Sequence, residues 1–164
     1  ANGLIYLPYL LGERSPRWNP LARGGFMGLT MAHTRSDLVR SVLEGVSMNL
    51  GVIVRIFKER ASIDNIVVIG GGAKGALWRQ IMADVYETEI LRPNYLEEAT
   101  SIGAAIIGGV GAGVFRDFSV VNNFFHIVDT VSPDTGTRSV YAKRKALFDK
   151  VYQALEPLFP EFAD

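Results

Sequence analysis

The chain has 164 residues, of which 48% are hydrophobic and 21% are charged, and this composition excludes a disordered, fibrous or low-complexity protein. Its 17 basic and 17 acidic side chains balance, so we expect no nucleic-acid partner, which would need a basic excess. The sequence contains no cysteine, which excludes disulfides, thiolate metal sites and a cysteine nucleophile and is compatible with a cytoplasmic protein.

The chain begins with a predicted strand and a long loop. Residues 4–7 are an apolar run ended by Pro8, which is typical of a buried strand. Residues 12–28 are rich in glycine, proline and arginine, which predicts a loop, and a loop of this length is usually functional or a packing arm. Three arginines of this loop could bind a phosphate or pair with surface acids: Arg14, Arg17 and Arg23.

A long helix is predicted over residues 34–60. Thr34 and Asp37 have the spacing of a capping box at its start. Gly45 and Gly51 weaken a helix and therefore indicate close contact with a neighbouring segment. A wide apolar stripe recurs at steps of three and four residues and predicts that the helix is substantially buried. This stripe consists of Leu38, Val39, Val42, Leu43, Val46, Leu50, Ile53, Val54 and Phe57.

Strands and helices alternate along the rest of the chain. Strands are predicted at residues 65–69, 89–91 and 126–131, and helices at residues 76–86, 99–114 and 140–155. Residues 118–125 are predicted as a short helix or a loop. This alternation predicts an α/β fold with a partly parallel sheet. The length, without an internal repeat or linker, favours a single domain.

The helix predicted at residues 99–114 overlaps the longest uncharged stretch, residues 101–115. This stretch is shorter than the roughly 20 apolar residues that a membrane-spanning helix needs, so we expect no membrane partner. Gly109 and Gly113 form a GxxxG pattern, which here predicts a buried helix packed closely on a neighbour. The N-terminal sequence also lacks the basic region and the cleavage site of a signal peptide.

The last predicted helix, residues 140–155, is amphipathic. Its apolar side, which we expect to face the core, carries Val140, Leu147, Val151 and Leu155. Its polar side, which we expect to lie nearer to water, carries Lys143, Lys145 and Asp149.

The candidate site is the sequence IVVIGGGAKGALWRQ at residues 66–80. A β-branched strand runs directly into Gly70, Gly71 and Gly72, and a helix follows. Glycine lets a ligand approach the main chain closely, and the start of the helix presents free N–H groups that suit a phosphate or a nucleotide. Such a site lies at the carboxyl end of the strand in α/β folds. The alternative is a tight turn that packs strand on helix and binds nothing.

The same residues also match the GxGxxG pattern of dinucleotide-binding domains, from Gly70 through Gly72 to Gly75. That pattern requires an acidic residue about 20 positions later at the end of the next strand, whereas Glu97 and Glu98 come later and after a proline. A nicotinamide dehydrogenase module is therefore an alternative that the spacing does not favour.

Other candidate chemistry is limited. His33 and His126 are far apart and have no partner at ligand spacing, so we interpret them as turn or edge residues and predict no metal site. Glu97 and Glu98 are interpreted as a solvated first turn of a helix, because adjacent side chains do not face each other.

Four stretches, at residues 3–18, 24–44, 69–84 and 97–105, resemble the C-terminal domain of the FGGY family of carbohydrate kinases, and most closely its xylulose kinases. The first is GLIYLPYLLGERSPRW, and the third is the glycine turn with its helix, IGGGAKGALWRQIMAD. The second, GGFMGLTMAHTRSDLVRSVLE, is similar to a long family signature, and the fourth is EEATSIGAA. Matches with compatible spacing run from about residue 3 to residue 113.

This resemblance implies the actin-like, ribonuclease-H-like ATPase fold, with residues 1–164 as a C-terminal domain that lacks its first strands and the whole N-terminal domain. It implies transfer of the γ-phosphoryl group of MgATP to a sugar hydroxyl, with ATP and Mg²⁺ as cofactors. The adenine nucleotide would lie against a run of five residues: Gly70, Gly71, Gly72, Ala73 and Lys74. Many relatives have a polar residue where this chain has Gly75 and Ala76.

The resemblance also implies what this chain does not supply. The family's catalytic aspartate and phosphate-binding hairpin precede the strand that begins this sequence, so we name no catalytic residue and expect the chain alone to be inactive. The sugar would bind mainly through the N-terminal domain. D-Xylulose is the leading sugar on overall similarity, with gluconate, ribulose and glycerol as alternatives, and a homodimer is possible. A non-catalytic interaction domain is an alternative of another class, which predicts an exposed apolar face.

Overall fold

The computed structural model describes residues 1–162, and the chain divides into two compact units. The first unit comprises Ala1–Ile63, Asp84–Glu87 and the chain from Asp134 onward, and the second comprises Asp64–Ala83 and Thr88–Pro133. In chain order, the main elements are β1 (Ile5–Leu7), β2 (Gly25–Met27), α1 (Arg35–Lys58), β3 (Asn65–Val67), α2 (Ala76–Tyr86), β4 (Glu89–Pro93), α3 (Ala99–Gly111), α4 (Val121–Phe124), β5 (Ile127–Val131) and α5 (Arg138–Leu155).

The first unit has a two-stranded antiparallel sheet, β1 and β2, which is packed with α1 and α5. The predicted strand at residues 4–7 is confirmed, and each residue of β1 is buried. The loop prediction for residues 12–28 is wrong at its end, because residues 25–27 form β2. Tyr6 and Phe26 are paired across the two strands with ring centroids 4.7 Å apart, and such a cross-strand contact explains why this end of the loop is extended.

Helix α1 begins as predicted but buries a different face. The Thr34 side chain accepts from the Asp37 N–H, and the Asp37 carboxylate accepts from the Thr34 N–H, which confirms the capping box. The fully buried positions are not the apolar stripe but a neighbouring row of small, polar and long side chains: Ser41, Glu44, Gly45, Ser47 and Met48. The two serine hydroxyls donate to carbonyl oxygens of the preceding turn, so they can be buried without an unpaired donor.

The capping box predicts an acid-sensitive start of α1. Hydrogen bonds from the Thr34 N–H and hydroxyl hold the pKa of the Asp37 carboxyl below its usual value. A lowered folded-state pKa stabilises the folded chain above the unfolded-state pKa, roughly 3.9, and this contribution is lost as the pH falls through the folded-state pKa. We expect Asp37→Asn to reduce the loss of stability between neutral pH and pH ~3 in urea unfolding. The exposed Glu161→Gln is the control, and equal pH dependence of Asp37→Asn and wild type would contradict the prediction.

The second unit has a three-stranded sheet in the order β3, β4, β5. β3 is parallel to β4, with Ile66 opposite Ile90, and β4 is antiparallel to β5, with Leu91 opposite Thr130. The prediction of a partly parallel sheet is therefore confirmed. Helices α2 and α3 follow the two parallel strands, so both helices begin beyond the carboxyl ends of those strands. The core of this unit includes Ile81, Met82, Ala83 and Ile90.

Helix α3 differs from the prediction of a closely packed buried helix. Among its described residues only Ile106 is buried, and Ile107 is well exposed. The close approach at Gly109 involves the chain that follows the helix, because a Cβ on Gly109 would lie less than 3.0 Å from the Phe115 ring. No helix in residues 1–162 is both long and apolar enough to cross a bilayer.

Helix α5 also buries a face that the sequence pattern did not indicate. Val140 and Leu147, which we expected in the core, are 51% and 38% exposed, whereas the buried residues are Tyr141, Phe148 and Tyr152. These aromatic rings bury more area than the aliphatic residues, and the tyrosine hydroxyls have partners. The Tyr141 hydroxyl donates to Glu44, and the Tyr152 hydroxyl donates to Glu156.

Two polar side chains of α5 that we expected nearer to water are instead partly buried in ion pairs. Lys145 donates to Glu87 at 2.9 Å, and Asp149 accepts from Arg17 at 2.5 Å. These two charged residues of α5 therefore pair with other residues of the first unit and remain partly accessible to water.

Candidate functional site

The glycine-rich turn joins β3 to α2 at the carboxyl end of the parallel strands. The Gly70 N–H donates to the Leu96 carbonyl at 2.9 Å, which ties the turn to the segment before α3. Gly70 has φ 78° and ψ −171°, a conformation that is open to glycine and strained for other residues. A single 3₁₀ turn follows at Gly71–Lys74, and α2 begins at Ala76. The five predicted site residues thus lie consecutively in one turn.

The outer side of this turn is open. A Cβ placed on Gly70 or on Gly71 would meet no atom within 4 Å, so a ligand could reach the main chain there. Gly72 is different, because its Cβ would lie 3.0 Å from the ring of Trp78, which packs against the turn. The Ala73 side chain is buried, so this residue can meet a ligand only through its backbone.

Lys74 forms an exposed ion pair with Glu97, which lies just before α3. Its ammonium group donates to the carboxylate and holds the pKa of Glu97 below its usual value. Glu98 occupies the N-cap position of α3. Neither acid lies at the end of a strand, where a dinucleotide-binding module places the residue that binds the ribose. The pair instead links the turn to the start of the second helix.

Arg79 contacts the carbonyl side of the turn, and we did not identify this residue from the sequence. Its guanidinium donates to the carbonyl oxygens of Ala73 at 2.5 Å and Lys74 at 3.1 Å. It also donates to the Asp129 carboxylate of β5 at 2.6 Å. The only signal in the sequence was a cation four residues into the helix that follows a glycine turn.

Comparison with known proteins assigns the family. Residues 1–112 match the C-terminal domain of the FGGY family of carbohydrate kinases. The chain belongs to this family.

Individual FGGY proteins agree with this assignment. A gluconokinase from Bacillus licheniformis is 36% identical over 166 residues, with 100% of this chain and 32% of the relative covered. A xylulose kinase from Staphylococcus epidermidis strain RP62A is 34% identical, with 96% of this chain and 32% of the relative covered. The crystal structure of ligand-bound xylulose kinase from Lactobacillus acidophilus superposes with a TM-score of 0.86 at 29% identity, with 98% and 33% covered. The chain thus spans about a third of the length of these relatives.

FGGY membership confirms the fold class that the sequence predicted. FGGY kinases have the actin-like ATPase fold, and this chain corresponds to a C-terminal part of it. The match also favours the kinase hypothesis over the nicotinamide dehydrogenase module, which rested on GxGxxG alone.

The remaining candidate residues of this FGGY domain have local roles. Arg17 lies over the Tyr152 ring at 4.1 Å and pairs with Asp149, so of the two roles considered for the loop arginines it takes the acid-pairing one. Arg23 donates to backbone carbonyls of its own loop, whereas the Arg14 side chain is exposed. His33 accepts from the Thr30 N–H through Nδ1, which confirms a turn residue.

A second residue that sequence reasoning missed is Glu13. It is buried, and its carboxylate accepts hydrogen bonds from the backbone N–H groups of Ser15, Arg17 and Trp18. An acid inside a loop gave no signal of burial, since most acids in loops are solvated.

Proposed function

We propose that this chain forms the adenine-nucleotide side of an ATP-dependent sugar kinase that transfers the γ-phosphoryl group of ATP to a sugar hydroxyl. One observation carries this proposal within the FGGY family: an open glycine backbone at Gly70 and Gly71, between the carboxyl ends of parallel strands and the start of α2. Because these two residues have no side chains, a nucleotide can approach their main-chain groups more closely than it could at any other residue type. The whole enzyme would include a further N-terminal domain, with residues 1–164 as its C-terminal domain.

The nucleotide-contacting residues in this proposal are Gly70, Gly71, Gly72, Ala73 and Lys74. The first two fit a bound nucleotide because a side chain on either would occupy the open space above the turn. Lys74 is exposed, so its side chain could turn from Glu97 toward a bound nucleotide without a large change in burial. ATP would supply the transferred phosphoryl group, and the turn would orient the nucleoside part.

Magnesium in nucleotide sites is usually held by one or two carboxylates together with waters and the phosphates of the nucleotide. Within residues 1–162, no group of three or more histidine, aspartate or glutamate side chains is placed to hold a metal ion. We name no magnesium ligand among these residues and derive no step through the ion.

The sugar is proposed as D-xylulose, with gluconate as the principal alternative and ribulose and glycerol after it. Both a gluconokinase and a xylulose kinase are among the relatives, and their identities to this chain, 36% and 34%, are too similar to separate the two. A coupled ADP-release assay of the chain with xylulose should give no turnover, because no residue here is proposed as the base. Metal-dependent turnover would contradict this part of the proposal.

The test of the nucleotide site uses Trp78 as a reporter in a Trp18→Phe background. We expect its emission to respond to MgADP and not to NAD, because the ring packs against the turn. Gly71→Val should raise the Kd for MgADP by at least about 10-fold, since its side chain fills the open face, and a loss of about 1.4 kcal/mol corresponds to that factor.

Gly25→Val is the matched control, because its side chain also enters open space but lies in β2 of the other unit. It should leave the Kd unchanged. A response to NAD alone, an equal Kd for Gly71→Val and wild type, or no response to either ligand would overturn the proposed nucleotide site.

A further inference from the structure

We propose that Arg79 is the positioning residue that keeps the glycine turn in a shape that can receive a nucleotide, an inference that rests on the proposed function. Arg79 does not meet the open face of the turn. It binds the carbonyl side of the 3₁₀ segment and connects it to Asp129 of β5. It would act on ligand affinity through the backbone conformation of the turn.

The contact pattern suits a guanidinium and no other side chain. One terminal nitrogen, Nη1, donates to the carbonyl oxygens of both Ala73 and Lys74, and the other, Nη2, donates to Asp129. Arginine carries these donors in a rigid planar fork, whereas the single ammonium of lysine cannot hold the same three acceptors in one plane. Two successive carbonyls of the turn are therefore fixed in direction relative to the edge of the sheet.

Arg79 is buried, which restricts its guanidinium to the contacts that it makes with the turn and with Asp129. The residue is 5% exposed, and its Nε has no hydrogen-bond partner among the described residues. The other two nitrogens of the guanidinium, Nη1 and Nη2, orient the turn.

Arg92 provides a built-in comparison because it lies beside the same carboxylate. Its Nε is 3.7 Å from the Asp129 carboxylate oxygen, whereas the hydrogen bonds to the turn carbonyls in residues 1–162 come from Arg79. Asp129 thus has two guanidinium neighbours, of which one reaches the turn. If charge near Asp129 were the essential feature, removal of either arginine would matter equally.

In the proposed site, the ligand affinity of the turn would depend mainly on its backbone. Gly70 and Gly71 have no side chains with which to hold a nucleotide, so their contribution comes from the direction of main-chain groups. Glycine is also the residue with the greatest backbone freedom. Without the Arg79 contacts, we expect the turn to sample other conformations and the receptive one to be populated less.

The experiment compares Arg79→Met, Arg79→Lys and Arg92→Met in the full chain. In the absence of nucleotide, Arg79→Met should raise amide hydrogen exchange at residues 71–75 by at least about 10-fold, while exchange in α1 and α5 stays unchanged. The Kd for MgADP should rise by at least about 10-fold. Arg92→Met should leave both quantities close to wild type. Arg79→Lys retains the positive charge, but its amide exchange at residues 71–75 and its Kd for MgADP should stay close to those of Arg79→Met.

The outcomes separate this inference from the proposed function. If the wild type does not bind MgADP, the proposed function fails, and the inference that depends on it fails with it, while exchange in the turn still reports whether Arg79 orders the backbone. If Arg79→Met and Arg92→Met raise turn exchange equally, or if exchange rises but the Kd does not, the positioning role is overturned. If Arg79→Met unfolds the chain, Arg79→Lys decides: wild-type exchange and Kd in that variant would overturn the role.

Discussion

Replacing Gly45 with alanine is expected to lower the free energy of unfolding of the first unit by about 3 kcal/mol. A Cβ at this position would lie less than 3.0 Å from the backbone carbonyl oxygen of Tyr6 and 3.1 Å from its carbonyl carbon. Both partners are backbone atoms of a buried strand, so neither can rotate away. Helix α1 would have to move off β1, and the packing around Leu7 would open.

The measurement is denaturant unfolding combined with amide exchange in α1 and β1. Gly103→Ala is the matched control, because it makes the same change inside a helix where a Cβ meets nothing within 4 Å. That variant should be unchanged or more stable by up to about 1 kcal/mol, since alanine is the better helix former. A Gly45→Ala variant as stable as Gly103→Ala would show that the helix and strand are not held at this distance.

Glu13→Ala is expected to destabilise the same unit by about 3 kcal/mol. Its carboxylate accepts three backbone N–H groups, at 2.9 Å from Ser15, 2.8 Å from Arg17 and 2.9 Å from Trp18. Removal of the acceptor leaves these donors unpaired in a partly buried loop, and each unpaired donor is costly. Trp18 has a positive φ of 51°, a conformation that its hydrogen bond to Glu13 helps to maintain.

Glu13→Gln separates the role of charge from that of shape. An amide keeps one acceptor oxygen but turns donor hydrogens toward backbone donors, so we expect it to recover less than half of the lost stability. Exchange of the Ser15, Arg17 and Trp18 amides reports the loop directly. Loss of less than about 1 kcal/mol in Glu13→Ala, with those amides still protected, would contradict the prediction.

Local patterns in the sequence were sufficient for most elements and for the glycine turn. The capping box at Thr34 and the β-branched run into three glycines involve neighbours a few residues apart, and short-range chemistry determines such features. The prediction of α2 at residues 76–86 is confirmed for the same reason. The family signature, which extends over many residues, carried the fold.

The sequence pattern did not predict which face of α1 or of α5 is buried. Apolar periodicity identifies a side of a helix that could be buried, but the segment that packs against the helix determines which side is buried. In α1, β1 packs closely at Gly45 and favours small residues. In α5, the loop of the first unit supplies partners such as Arg17 and Asn19 for the phenylalanine and tyrosine rings.

By itself, then, the sequence determined most of the elements, the N-cap of α1, the glycine turn and the family, because each depends on neighbouring residues or on an extended motif. Only the tertiary structure decided what holds the turn and the loop. Arg79 reaches Asp129 across 50 residues of sequence, and Arg17 reaches Asp149 across 132. Contacts of that separation exist only after the chain has folded, since no local spacing brings such residues together.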